Sequence, residues 1–243
     1  MMKRGMEFIK ETCFQGMKAS PQMQGRPEPP KVKESKESSN IIHLPKAREL
    51  NTEQLSLTKA IKDRCSVRKY SEAPLSREEL SFLLWSTQGV KDARVPSLRT
   101  VPSAGARHAL ETYLLINRVQ DIQRGIYRYL PVEHSLEELQ LGSHLTREVV
   151  KGCLDQKFVG KSAVTMIWTA LFYRMTWRYG DRGFRYLLLD AGHACQNLYL
   201  AAEAIEAGVC AVGAYLDDKL NQLLELDVER EWVIYLAAVG KKR

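Results

Sequence analysis

Residues 185–206 read RYLLLDAGHACQNLYLAAEAIE. Leu188, Leu189, Gly192, Cys195, Gln196, Tyr199, Ala202 and Glu203 fall on adjacent turns of one helical period, and Gly208 stands where such a helix would stop. A helix of about 22 residues that is apolar around much of its circumference has to be buried between layers. The fold is therefore expected to be organised around it. Ser76 and Glu79 have capping-box spacing ahead of Leu80, Leu83 and Leu84, which predicts a helix over 77–88 that stops at Gly89. Residues 110–116 and 126–130, rich in Tyr, Ile and Leu, read as strands, and 209–215 and 232–239 supply two more. The apolar run 163–171 fits a central buried strand, a pattern that a buried helical segment would share. Ser135 and Glu138 repeat the capping-box spacing and predict a short helix. Strands are fewer than helices and irregularly spaced, so a doubly wound parallel sheet is not compelled, and no internal repeat is visible.

The chain has 243 residues, enough for one large domain or two small ones. Its net charge of +7 suggests nucleic acid until the charges are placed: residues 1–50 hold ten basic and six acidic side chains, Lys241, Lys242 and Arg243 add three positives, and residues 51–240 balance at 23 and 23. A neutral body argues against a nucleic-acid interface. Residues 20–39 concentrate Pro, Lys, Glu, Ser and Gln and lack the apolar surface to offset ordering entropy. Residues 1–50 therefore read as an extended arm and 51–243 as the domain. Five cysteines without a CxxC pair disfavour a disulfide framework or zinc site and suit a reducing cytoplasm. Glu7, Lys10 and Glu11 interrupt the N-terminus before a signal-peptide core can develop, and no apolar run approaches the roughly 20 residues of a membrane span.

Several catalytic signatures fail on inspection. Gly160-Lys161-Ser162 resembles the end of a phosphate-binding loop, but Asp155 stands where that motif needs glycine. No GxGxxG follows a strand, and Ser103 sits in half of a GxSxG elbow with Val101 for the first glycine. His43, His108, His134, His144 and His193 show no metal-ligand spacing, so no metal is expected.

Four segments remain. Residues 63–70, DRCSVRKY, put three cations and a hydroxyl at the end of a helix expected to begin near Thr52, a chemistry suited to a phosphate. Residues 99–108, RTVPSAGARH, form a loop of small residues that lets backbone amides approach a flat ligand. Residues 174–180, RMTWRYG, combine aromatic and basic side chains, and 208–213 precede the basic C-terminus.

With RCSVRKY (64–70), EAPLSREELSFLLWSTQGV (72–90), RTVPSAGARHALETYLLI (99–116), GIYRYLP (125–131), WRYGDRGFRYLLLDAGHACQNLYLAAEA (177–204) and GVCAVGAYLDDKLNQLLELD (208–227), the chain resembles the FMN-dependent nitroreductase superfamily, and within it the thiazoline/oxazoline dehydrogenase-like (SagB/ThcOx-type) branch. The resemblance implies an α+β three-layer α-β-α sandwich, an obligate homodimer and FMN sites built from both subunits. It implies that Arg64, Cys65, Ser66 and Arg68 grip the ribityl phosphate and pyrimidine side. Pro102, Ser103, Ala104 and Gly105 would line the isoalloxazine from the partner, Val212 and Gly213 would lie near its reactive edge, and Lys241 or Arg243 would close on the phosphate. Arg107, His108, Arg174 and Trp177 become substrate-pocket candidates, with Tyr179 and Arg178 as catalytic ones. Azoline-oxidising members carry Lys-Tyr where this chain has Arg178-Tyr179, and arginine cannot serve as a base as a desolvated lysine can. The first expectation is thus hydride transfer from a donor such as NAD(P)H to a small nitro-aromatic or quinone. The alternatives are dehydrogenation of an azoline-like ring or peptide-derived substrate, and flavin binding without turnover.

Overall fold

The Ser76 hydroxyl accepts from the Glu79 amide at 3.1 Å while the Glu79 carboxylate accepts from the Ser76 amide at 2.9 Å, so the helix Arg77–Gln88 begins on a complete capping box. The computed structural model describes residues 3–35, 38–46 and 55–243. Its helices are α1 (Lys3–Glu11), α2 (Leu57–Asp63), α3 (Arg77–Gln88), α4 (His144–Gly152), α5 (Lys157–Lys161), α6 (Phe172–Tyr179), α7 (Gly183–Glu203) and α8 (Asp217–Leu223). The strands are β1 (Ile41–His43), β2 (Leu110–Ile116), β3 (Gly125–Leu130), β4 (Ser135–Leu141), β5 (Val164–Leu171), β6 (Ala207–Val212) and β7 (Glu231–Lys241). The helix expected to begin near Thr52, itself outside the described residues, begins at Leu57 instead, where the extended Ser56 caps it by accepting from the Lys59 amide at 3.2 Å.

All seven strands form one sheet in the order β1-β4-β3-β2-β5-β7-β6, with every neighbouring pair antiparallel. Alternation along the strands builds two cores. On the inner face Leu110, Leu114, Met166 and Trp168 pack with Leu83 of α3 and Leu187 and Leu198 of α7. On the outer face Leu115, Ile126, Ile167 and Leu236 pack with Val149 of α4, Val159 of α5 and Leu220 of α8. The α+β layering expected from the sequence is present, but the long helix is not buried between layers: Leu187, Ala194 and Leu198 face the sheet, while Leu188, Leu189, Gly192 and Gln196 are exposed.

Two further expectations are corrected. Residues 135–141 form a strand, not a helix: Leu136 enters the inner core, Glu137 faces the other way, and β3 and β1 supply ladders on both sides. Two sheet partners outweigh a local capping pattern. Gly208 does not end α7, which stops at Glu203; it lies within β6, where a Cβ would collide with Val67. Its missing side chain lets the Val67 amide donate to the Val209 carbonyl at 2.8 Å, laying residues 66–67 along the free edge of β6.

The N-terminal segment is fastened to this body by polar bonds. The Arg182 guanidinium donates to the Thr12 carbonyl at 2.8 Å, the Trp177 indole to the Arg26 carbonyl at 2.9 Å, Arg174 to the Pro30 carbonyl at 2.8 Å and Arg128 to the Glu34 carbonyl at 2.7 Å. No apolar side chain between residues 20 and 35 is buried. The segment is too polar to order itself, and buried and half-buried side-chain donors of the body order it instead.

Candidate functional site

α7 holds two loops by two polar groups. The buried Asp190 carboxylate accepts from the Ser103 hydroxyl at 2.5 Å and the Ala104 amide at 3.2 Å, and the Ser103 oxygen in turn accepts from the His108 amide at 2.9 Å. Burial raises the Asp190 carboxyl above the usual carboxylate range, while the bonds from Ser103 and Ala104 draw it back. Nine residues further along, or about 13 Å of helix, the Tyr199 hydroxyl accepts from the Ala211 amide at 2.9 Å and shares a hydrogen bond with the Ser66 hydroxyl at 3.0 Å. One rigid helix thus positions residues 103–104 at one point and residues 66 and 211 at another.

Gly105, Ala106 and His108 have φ values of 57°, 52° and 46°. The left-handed region is cheap for glycine and strained for alanine and histidine, and such strain collects at functional sites. A Cβ on Gly105 would run into the Tyr179 hydroxyl and the Arg178 side chain, so the small-residue loop lies directly on the end of α6. Tyr179 is half-buried and meets Tyr186 edge-on at 4.8 Å, whereas Arg178 is exposed, 5.7 Å from the Tyr179 ring.

The residues expected to grip a phosphate lie together at the β6 edge. Arg64 sits over the Tyr199 ring at 5.4 Å, and Arg68 over Phe158 at 5.9 Å; Cys65, Ser66 and Arg68 are exposed. Arg243 is exposed beside them, its Nε donating to the Tyr70 carbonyl at 2.9 Å. Among the described residues Arg64, Arg68 and Arg243 have no carboxylate partner. Lys241 differs, because its ammonium is paired with Glu79 and donates to the Ile205 carbonyl at 2.7 Å. Val212 is buried at the end of β6, and Gly213, like Pro102 and Gly105, is exposed.

The four pocket candidates divide. Arg174 is buried, bound to Glu111 at 2.6 Å and to the Pro30 carbonyl, so its charge is neutralised inside the protein. His108 is also buried, its Nε2–H donating to the Ser97 carbonyl at 2.9 Å; burial, then the nearby Arg99 charge, push its pKa down to about 4 and keep the ring neutral. Arg107 lies on the Trp177 ring at 4.9 Å and donates to Glu28 at 2.6 Å. Sequence reasoning missed Asp190, Tyr199 and Glu28. Asp190 had a visible signal, being the only acid between residues 185 and 202 of an otherwise apolar helix, but nothing marks Glu28 within its polar run. No helix among the described residues is long and apolar enough to cross a membrane.

Residues 61–241 match the nitroreductase family model. A Methanocaldococcus jannaschii protein named as a nitroreductase is 36% identical over 190 residues, spanning 78% of this chain and 93% of that protein. The Microcin B17-processing protein of Escherichia coli is 28% identical over 135 residues, covering 53% of this chain and 49% of its own, so the chain spans about half of that relative. A Ralstonia eutropha crystal structure described as a nitroreductase covers 89% of this chain and 99% of its own at 25% identity, with a TM-score of 0.71.

Proposed function

The chain belongs to the nitroreductase family, and on that premise we propose that it is an FMN-dependent oxidoreductase that takes hydride from a donor such as NAD(P)H and delivers it to a small nitro-aromatic or quinone. The observation that carries the cofactor reading is the group Arg64, Arg68 and Arg243, cations without carboxylate partners among the described residues, beside the Ser66 hydroxyl at one sheet edge. That donor set fits a phosphate monoester, which accepts charge-assisted bonds from several guanidinium groups. Bound there, FMN would supply a ring that accepts and releases hydride, while the protein supplies orientation and hydrogen bonds. Arg64, Ser66 and Arg68 would hold the phosphate end, and Ser103, Ala104 and Gly105, fixed by Asp190, would present backbone to the ring. Tyr179, whose hydroxyl lies over Gly105, is the proposed proton-handling group, and the exposed Arg178 the positioning cation. Lys241, already paired with Glu79, is left out of the phosphate site in favour of Arg243.

A homodimer completes the reading. Leu188 and Leu189 on α7 are each 58% exposed next to Phe184, an uncovered apolar face on the most apolar helix of the fold. A second copy would cover it. The catalytic unit is taken as residues 51–243, with 1–50 as an attached arm whose strand β1 is also an edge strand of the sheet.

FMN titration tests the cofactor: micromolar or tighter binding with a yellow complex is expected, weakened by Arg64→Ala and by Arg68→Ala, and unchanged affinity in both variants removes the phosphate assignment. Anaerobic mixing with NADH and with NADPH tests the direction. Bleaching by either supports the reading. Bleaching by neither, together with reduction by an azoline-containing peptide, would select the dehydrogenase alternative that likeness to the microcin-processing protein supports.

A further inference from the structure

Arg107 is almost wholly enclosed, with 5% of its side chain exposed, yet its hydrogen bonding is incomplete. Nη2 donates to one oxygen of Glu28, and the buried Nε has no partner. A guanidinium offers Nε and Nη2 as a planar fork that matches a carboxylate held through both oxygens, and Glu28 uses only one prong. The Trp177 ring lies 4.9 Å beneath the cation and supplies a flat apolar floor. Both residues belong to the catalytic elements: Arg107 follows Gly105 by two residues, and Trp177 precedes Tyr179 by two.

Glu28 is poorly secured. Its side chain is 43% exposed, Lys31 is its other ion-pair partner at 3.5 Å, and the segment that carries it buries no apolar side chain between residues 20 and 35. What retains the segment nearby is a set of bonds to its backbone, from Trp177 to the Arg26 carbonyl and from Arg174 to the Pro30 carbonyl, with the Gln22 amide donating to the Trp177 carbonyl at 2.8 Å. The arm is also loosely packed further along: an open cavity of 640 Å³, lined by neither Arg107 nor Trp177, separates Met17, Lys18 and Pro21 from Thr176, Gly180 and Asp181.

We propose that Arg107 on its Trp177 floor is a subsite for the carboxylate of a planar organic anion, and that Glu28 is an intramolecular stand-in for that carboxylate, carried on a strap, residues 20–35, that yields when the anion binds. This rests on the oxidoreductase reading of the same site and gives it a substrate class. An incoming carboxylate gains the Nε bond that Glu28 leaves unmade, so exchange replaces one charge-assisted hydrogen bond by two. Release of the strap takes no fully buried apolar side chain of residues 20–35 out of the protein.

Benzoate and its neutral isostere benzamide test the idea by calorimetry on FMN-saturated protein. Glu28→Gln should bind benzoate about tenfold more tightly than the unaltered chain, the size of one competing charged contact, with benzamide indifferent to the substitution. The double variant Glu28→Gln/Arg107→Met, which leaves no unpaired charge at this contact, should lose benzoate binding. If it does not fold, Arg107→Lys in the Glu28→Gln background keeps the charge without the fork and should bind benzoate more weakly than Glu28→Gln alone. Benzoate should also speed amide exchange across residues 22–34 of the unaltered chain. Equal benzoate affinity with and without Glu28, or undiminished binding once Arg107 is replaced, overturns the proposal. Flavin reduction by NADH and by NADPH, followed separately, distinguishes the two failures: bleaching by either without an Arg107-dependent benzoate site overturns the subsite alone, and such a site without bleaching by either overturns only the nicotinamide reading.

Discussion

The outer face of the sheet is covered in two different ways. Over one half, Leu115, Ile126, Ile167 and Leu236 lie beneath α4, α5 and α8 in an apolar core. Over the other half, Glu111, Tyr113, Arg128, Glu137, Thr169 and Glu231 form a buried polar network beneath residues 30–35 and Ser39. Removing the first cover would expose hydrocarbon to water, which the hydrophobic effect opposes in proportion to area. Removing the second exchanges protein hydrogen bonds for bonds to water, each worth only about 1 kcal/mol net. The helical half is therefore a fixed wall, and the strapped half is a cover that can open while the sheet stays intact.

The charges beneath the strap are still costly to disrupt singly. Arg174→Ala leaves the buried Glu111 carboxylate, among the described residues, with Arg128 Nη1 at 4.0 Å as its one ion-pair partner, and a buried charge stripped of its hydrogen-bonded partner should cost about 3–5 kcal/mol. Urea denaturation will show this, and a loss below about 1 kcal/mol would mean that water already reaches the network. The counterpart on the helical side is Leu220→Ala: Leu220 is fully buried against Gly152, and the cavity should cost about 3 kcal/mol. The two variants should differ in kind. Leu220→Ala should lower global stability while leaving amide protection of residues 22–26 as it was, and Arg174→Ala should lower both.

That contrast also explains what the sequence could reveal. Helix α7, helix α3 and strands β2, β5 and β7 are visible in the period of their apolar residues, because each buries one continuous stripe or face. The Ser135/Glu138 spacing misleads because strand pairing to β3 and β1 is a property of the sheet, invisible within seven residues. Polar composition alone led residues 20–39 to be read as an arm unable to order itself, since the groups that order it, Trp177, Arg174 and Arg128, lie more than 90 residues away in the chain. At the site, Arg64, Ser66 and Arg68 stand out by residue type within one short segment. Asp190 and Tyr199, which hold the two loops, are each a single polar group on a helix read for its apolar content, and their roles need the loops to be placed first.

His108 gives the comparison a pH axis. It is neutral in the folded chain, with its pKa pushed down to about 4, first by burial and then by the Arg99 charge. Between that value and the ordinary 6.5 the unfolded chain binds a proton that the folded chain refuses, so stability rises with pH across the window. It should be fully present above pH 6.5 and fall by roughly 2–3 kcal/mol as pH drops toward 4. Asp190, with its pKa raised by burial, acts with the opposite sign just above the usual carboxylate range and partly offsets the fall. Denaturation from pH 4 to 7 should show the slope, flattened in His108→Asn. An unchanged slope would assign it to other groups.

The smallest expected effect is the most specific to the strap. Lys33 donates to the buried Glu231 carboxylate at 2.5 Å and to the Tyr113 hydroxyl at 2.8 Å, tying the strap to the network through a side chain. Lys33→Ala leaves Glu231 with bonds from Thr169 at 2.5 Å and Tyr113 at 3.2 Å, so the carboxylate keeps two donors and the sheet beneath keeps its geometry. Global stability should fall by only about 1 kcal/mol. Local opening should respond far more, because few contacts oppose it: tryptic cleavage after Lys31 should quicken about tenfold or more while amides of β2 and β5 keep their protection. If β2 and β5 lose protection in step with that cleavage, the strap and the sheet open as one unit. In that case the polar cover is as fixed as the helical one.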